Sequence, residues 1–410
     1  MNSDAALDEA ILHPDLRHIN FFNGRLLTGG DLQAEQSVQH AHAHHLGMAI
    51  GAGVAEGLWV SEATSSPASD AAITITKGMA INRVGQTLRL ECDQRVVLAR
   101  PPDPTKRDQC VFADCEEKLS DSLLGNGAGY YLLTISPASE REERAPVSGL
   151  GNGVASCNSR YLTEGVKFSL ITLTVTGITD SNTRQSTVAQ LCLGLLDPTP
   201  YATAMRAFNG FSIAQHGYET LIPPGRLTSA DVPLAVVEWT ENGLGYIDNW
   251  AVRRRLTKPD AEPRWSPLSG DQRLADGEAT FSQFQQQMSE LLLNGDGVTR
   301  AAEHDFIALP PLGVLPMRGT GSPAGIDAAT FFGSHAQYPP ITLDSAQLAP
   351  LLTTSFRFPP LRLSESPLFQ LYTIAETVQS VAAGQSNQLV LVFASSALPF
   401  VSPWRYGYYY

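Results

Sequence analysis

The chain has 410 residues, 43% of them hydrophobic, which suffices for two or three packed units and is too long for one ordinary domain. Lys and Arg number 28 against 41 Asp and Glu, and a net charge of −13 argues against binding nucleic acid or an anionic membrane surface, both of which need basic patches. Charged residues are 17%, below the roughly 25% of typical soluble proteins, and 34 Gly with 27 Pro point to loop-rich β structure or to a surface covered by partners.

Residues 1–19 carry acids rather than a basic segment followed by an apolar core, so no secretory leader is expected. No run of 18 apolar residues is present to span a membrane. Residues 20–27 (NFFNGRLL) read as an extended segment with an Asn-Gly turn. Thr28 followed by Asp31 resembles a capping box that opens a helix over about 31–50. At 100° per residue, Gln33, Gln36, Ser37, His40 and His44 share one arc of that helix. Leu32, Ala43, Leu46 and Ile50 share the opposite one, with Gln39 among them.

GAGVAEGLWV (51–60) reads as a turn into a strand, 61–72 as a polar loop, and 73–98 as β-hairpins by its period of two. A Pro-rich break follows near residue 105. Strands are expected at 129–136, 165–176, 188–196 and 233–239, with a charged, Gly-rich excursion over 140–161 and a hairpin turn and strand over 240–256. A second helix is expected over 277–293, capped by Asn294-Gly295. The Pro-studded remainder holds a short helix at 343–352, strands at 369–378 and 387–395, and a stretch over 375–384 that is either strand continuation or helix. The expected class is α+β, mainly β. Residues 1–58 form an N-terminal arm and helix, 59–105 a small antiparallel β domain, 125–260 a β-rich central domain, and 270–410 a mixed α/β domain with an aromatic tail.

Motifs that would carry chemistry are sparse. His40 and His44 stand at i, i+4, a spacing zinc sites use, but a further ligand would have to come from another segment, and a polar helical face explains the same residues. Cys110 and Cys115 form a lone C-x4-C; with Cys92, Cys157 and Cys192 they read chiefly as reduced thiols, a loop disulfide or zinc remaining open. Asn294, Asp296, Gly297 and Glu303 match part of a calcium loop whose first position is Leu292, which cannot ligate. GTGSPAG (319–325) fits neither a nucleophile elbow nor a dinucleotide loop. Glu140 and Glu164 are a conceivable carboxylate pair for hydrolysis. Arg253–Arg255, placed on a strand, suits interface salt bridges better than anion binding. No cofactor is expected.

Two segments suit protein partners. Phe21, Phe22, Leu26 and Leu27 precede a helix whose polar arc (Gln33, Gln36, His40, His44) is uncharged at neutral pH and therefore cheap to desolvate. Trp404, Tyr406, Tyr408, Tyr409 and Tyr410 end the chain after Pro403, as a latch that would dock on a neighbour or on the chain's own body.

Several blocks together resemble a known family. NFFNGRLLTGGDLQAEQ (20–36), G-x-G-V-x-x-G-L (51–58), ITITKGMAINRVGQTLRL (73–90), Cys157-Asn158-Ser159-Arg160 with Glu164, PLAVVEW…YIDNWAVRRRL (233–256) and LPPLGVLP…FFG (309–333) are similar, in this order, to structural proteins associated with phage-tail-like contractile injection systems. The first helix differs, carrying histidines where the family's is Arg-rich. The resemblance implies a non-enzymatic subunit of the baseplate or its fibre-attaching periphery. Its partners would be baseplate, sheath, tube or fibre proteins in a multimeric assembly, made in the cytoplasm and then built into a particle. The rival readings are a receptor- or carbohydrate-binding fibre module and a hydrolase.

Overall fold

A computed structural model describes residues 17–63, 72–98, 127–144, 159–178, 180–194, 217–259, 265, 269–295, 298–317, 325–374 and 390–398. The architecture is α+β and mainly β, with a helix at the N-terminal end. Helix α1 (Gly29–Ile50) begins as its capping box dictates: Asp31 N–H donates to Thr28 Oγ1 at 3.2 Å, and Thr28 N–H donates to the Asp31 carboxylate at 2.9 Å. Its two buried positions are Val38 and Gly47. The apolar arc read from the sequence therefore does not face a core; Leu32, Leu46 and Ile50 are exposed.

Six short strands follow, in two three-stranded antiparallel sheets. One is built from β1 (Gly53–Gly57), β4 (Gly78–Ile81) and β5 (Thr87–Leu90), the other from β2 (Val60–Glu62), β3 (Ala72–Ile75) and β6 (Gln94–Val97). Strands this short cannot stand alone. They pack Val54, Leu58, Ile73, Ile75 and Leu88 against Tyr131, Leu133 and Ile135 of β7 (Gly129–Arg144). One core thus joins the segments 59–105 and 125–260, and β1 ties residues 53–57 into it as well.

The central sheet is antiparallel, in the order β10-β9-β7-β8, with β8 (Ser159–Leu173), β9 (Val232–Thr240) and β10 (Gly243–Asp248). Alternation along β7 sends Leu132 to the opposite face, where it meets Val188, Ala189 and Cys192. Those three lie on helix α2 (Arg184–Cys192), which corrects the strand expected at 188–196. A short apolar run reads alike as a buried strand or as a buried helix. Strands β7 and β8 also stay paired to Arg144↔Ser159, so both ends of the expected 140–161 excursion are strand. The cover from β9 stops at Ile135, and beyond it the pair projects as a two-stranded ribbon.

The C-terminal unit is a second four-stranded sheet, helped by a small pair made of β11 (Ala308–Leu309) and β14 (Leu361–Arg362). Its order is β12 (Leu312–Pro316), β16 (Val390–Ser395), β15 (Phe369–Ile374), β13 (Ala336–Leu343). Helix α3 (Asp271–Leu293), begun six residues before the expected position, lays Phe284 and Met288 on one face. Phe331 and Phe332 of α4 (Ala328–Phe332) join that core. Helix α5 (Ser345–Ser355) covers the other face with Leu348, Leu351 and Leu352. Pro339 and Pro340, from the Pro-studded remainder, lie in the edge strand β13, where a register shift between Gln337 and Ile341 absorbs them. Residues 375–384, Cys110, Cys115 and Cys157 lie outside the described residues, while Cys92 and Cys192 are free thiols.

Candidate interaction surface

The segment before α1 turns at Asn23-Gly24, where Arg25 N–H donates to the Phe22 carbonyl at 3.2 Å, and then runs along the helix. Arg25 donates to the Asn20 carbonyl and to the Asp31 carboxylate, both at 2.9 Å, and so pins the turn to the helix N-terminus. Glu35 accepts from Ile19 N–H at 3.2 Å and lies 3.3 Å from His18 Nδ1. The His18 ring meets that of His42 edge-on at 5.5 Å. The Thr28 amide holds the Asp31 carboxyl below the usual carboxylate range, and the Ile19 amide does the same for Glu35. The arm is thus fastened along the Glu35–His42 side of α1.

What this leaves uncovered is apolar. Phe21, Phe22, Leu26 and Leu27 are exposed, Leu26 at 90%. So are Leu32, Leu46, Met48 and Ile50 on the helix. Gln33, Gln36 and His40 are exposed and His44 is half-buried, so the residues expected at a partner surface gather on one arm-and-helix element. The helix meets the body in its last turn. The backbones of Gly47 and Gly85 approach so closely that a Cβ on Gly47 would collide with the Gly85 carbonyl. Trp404, Tyr406, Tyr408, Tyr409 and Tyr410 lie outside the described residues.

The arginine run lies in the turn and coil after β10, not on a strand, and its partners are within the chain. Arg253 donates to the Leu58 carbonyl at 2.9 Å and to the Gly57 carbonyl, with its guanidinium 4.0 Å from the Trp59 ring centroid. Arg254 Nε lies 2.5 Å from Asp276 of α3, and Arg255 reaches Asp271 at 2.7 Å and Glu278 at 3.0 Å on the same helix. The run is a clamp between the N-terminal sheets, the central sheet and α3.

Beside the clamp is a buried polar chain that the sequence reading missed. Asp248 accepts from the amides of Trp250 and Ala251, each at 2.9 Å, and from Gln283 at 3.1 Å. Gln283 also donates to Gln287, which donates to the Asp305 carbonyl. Burial raises the Asp248 pKa to about 6. The available signal was Thr280, Gln283 and Gln287 at helical spacing among Phe284 and Met288, polar residues inside an apolar stripe.

A polar cleft of about 510 Å³ opens where β2, the start of α2, β10 and α3 meet. On its wall Gln185 and Gln286 both donate to Glu290, at 3.0 and 2.8 Å, and Gln286 also donates to the Ile247 carbonyl. Gln286 has both N–H groups engaged and its carbonyl accepts from Asn249 N–H at 3.3 Å, so a ligand's hydroxyls would meet Gln185 and Glu290 here. Among the described residues no group of three His, Cys, Asp or Glu side chains is placed to hold a metal ion. The partial calcium loop has Leu292 and Asn294 at the end of α3, with Asp296 and Gly297 outside the described residues. Glu140 pairs with Thr163 and Glu164 with Ser139, so the two carboxylates point to opposite faces of the ribbon and cannot flank one bond. No described helix is long and apolar enough to cross a membrane.

No family model matches the chain, and no curated protein matches it. A solved structure described as "Crystal structure of TssK" is similar over 68% of this chain and 52% of that one, at 11% identity and a TM-score of 0.25. The chain thus spans about half the length of that structure, and a likeness at this score carries no argument.

Proposed function

We propose that the chain is a structural, non-catalytic subunit of a contractile, phage-tail-like particle, placed at the baseplate or its fibre-attaching periphery. It holds neighbouring subunits through fixed interfaces. The observation that carries this reading is the arm and α1, which present Phe21, Phe22, Leu26, Leu27, Leu32, Leu46 and Ile50 to solvent while standing on the body through the last turn of the helix. Exposed apolar surface on that scale marks a binding face. The segment resembling the injection-system proteins most continuously, 20–36, is the same element. Deleting residues 1–50 should leave the body folded and strip the protein from assembled particles. Normal incorporation of the truncated chain would reject the reading.

A second reading, recognition of a hydroxyl-rich ligand such as a glycan, is favoured by the amide-lined cleft around Glu290. Binding on a glycan array that is lost in Glu290→Ala would establish it.

A further inference from the structure

The exposed apolar arc of α1 has a seven-residue repeat. Leu32, Gln39 and Leu46 stand seven apart, and Gln36, Ala43 and Ile50 stand seven apart, offset by four; Gln36 belongs to the polar arc but lies at its edge, about 40° round the helix from Leu32. These are the a and d spacings of a coiled-coil seam, and all six residues are exposed. We propose that this seam is occupied by the same helix of a second copy of the chain, in parallel; the inference rests on the reading of the arm and α1 as an assembly element.

Three observations select this occupant. The first is the order of residues along the seam. In a parallel pair each residue meets its own copy, so Gln36 faces Gln36 and its side-chain amide finds an amide partner, while Gln39, whose amide donates to Glu35 at 3.3 Å along its own helix, faces Gln39. A fully overlapped antiparallel pair would instead set Gln36 against Leu46 and leave it without one. The second is charge. Residues 17–50 hold two Arg and two acids in a chain of net charge −13, so two copies meet here without the repulsion carried by the rest of the surface. Both acids, Asp31 and Glu35, are engaged by the chain's own Arg25, Thr28, Ile19 and His18. The third is area. Two glutamines and an alanine make a weak seam, but Leu32, Leu46 and Ile50 on it and the exposed parts of Phe21, Phe22, Leu26 and Leu27 on the arm fastened beside it together offer on the order of 800 Å², one side of a standard interface.

Sedimentation of the full-length protein at concentrations up to about 100 μM should show association. Gln39→Leu should tighten it by at least about tenfold, because it replaces a polar layer with an apolar one. Leu46→Glu should return the protein to monomer. Both positions are exposed in the single chain, so the far-ultraviolet spectrum of each variant, and its melting at concentrations too low for association, should match the parent. A monomeric parent at the highest concentration, or an oligomer indifferent to Leu46→Glu, overturns the proposal. Particle incorporation separates this from the broader reading. A monomeric parent whose Leu46→Glu variant still drops out of particles has a different subunit on the seam, whereas a chain lacking residues 1–50 that is retained overturns the assembly role itself.

Discussion

Gly57 and Leu58 are both left-handed, with φ of +58° and +56°, at the corner between β1 and β2. For a leucine this conformation costs about 1–2 kcal/mol, and it holds because Leu58 is fully buried and the carbonyls of both residues accept from Arg253. Burial lowers the Arg253 pKa to about 10, yet its fork fits the paired carbonyls and its plane lies over Trp59. Arg253→Lys keeps the charge and loses the fork. It should cost about 2–4 kcal/mol in urea unfolding, and an unchanged midpoint would show that the corner holds itself. Asp248 gives a pH signature. Its pKa rises from 3.8 to about 6 on folding, so the folded state binds this proton more tightly than the unfolded one. Its contribution to stability therefore falls as pH rises from about 4 to about 6, by roughly 3 kcal/mol in all, and stays low above that. Asp248→Asn should flatten the fall across that window relative to the parent; an identical slope in the variant would assign the effect elsewhere.

At the scale of elements, α1 depends on a glycine for where it stands. Replacing a helical Gly by Ala ordinarily gains up to about 1 kcal/mol, less in the first and last turns. Gly30→Ala has open space, with Thr28 Oγ1 at 3.6 Å from the added carbon, and should follow that rule. Gly47→Ala should do the opposite, because the new methyl group meets the Gly85 backbone and levers the helix off the body. Hydrogen exchange over residues 29–50 should quicken in Gly47→Ala and slow in Gly30→Ala; equal behaviour would mean that the glycine contact does not seat the helix. The β7–β8 ribbon is the other projecting element, carrying Tyr161 and Leu162 exposed near an Arg160–Glu143 ion pair.

Across the whole molecule, the central and C-terminal sheets are joined through α3. Its C-terminal half packs Phe284 and Met288 on the second sheet, while Asp271, Asp276 and Glu278 hold the arginine run and Gln286 holds the Ile247 carbonyl. Arg254 and Asp276 are both largely buried, so Arg254→Ala takes the guanidinium from a buried carboxylate and leaves the carbonyls of Trp250, Ala251 and Arg253 without that donor. The expected cost is about 3–5 kcal/mol, with one calorimetric transition splitting into two as the sheets uncouple. A single transition at the parental temperature would show that packing alone joins them.

Chain-local rules determined much of this protein from its sequence. Thr28 and Asp31 cap α1 from three residues apart, the Asn23-Gly24 turn forms where it was read, and the period of two over 73–98 becomes β3 to β6. Each depends on neighbours within a turn or a strand, so sequence spacing suffices. The projecting arm with Phe21, Phe22, Leu26 and Leu27 was legible for the same reason, since apolar residues beside a polar arc need no distant partner to be noticed. Tertiary structure alone decided the rest. Residues 188–192, expected as strand, lie in a helix because Val188, Ala189 and Cys192 meet Leu132 and Val236 across the central sheet. The side of α1 that meets the body was set by Gly85, far along the chain from Gly47, and Arg253 found its partners 195 and 196 residues away at Leu58 and Gly57. Periodicity records which residues share a face, but which face is covered depends on what the rest of the chain brings to it.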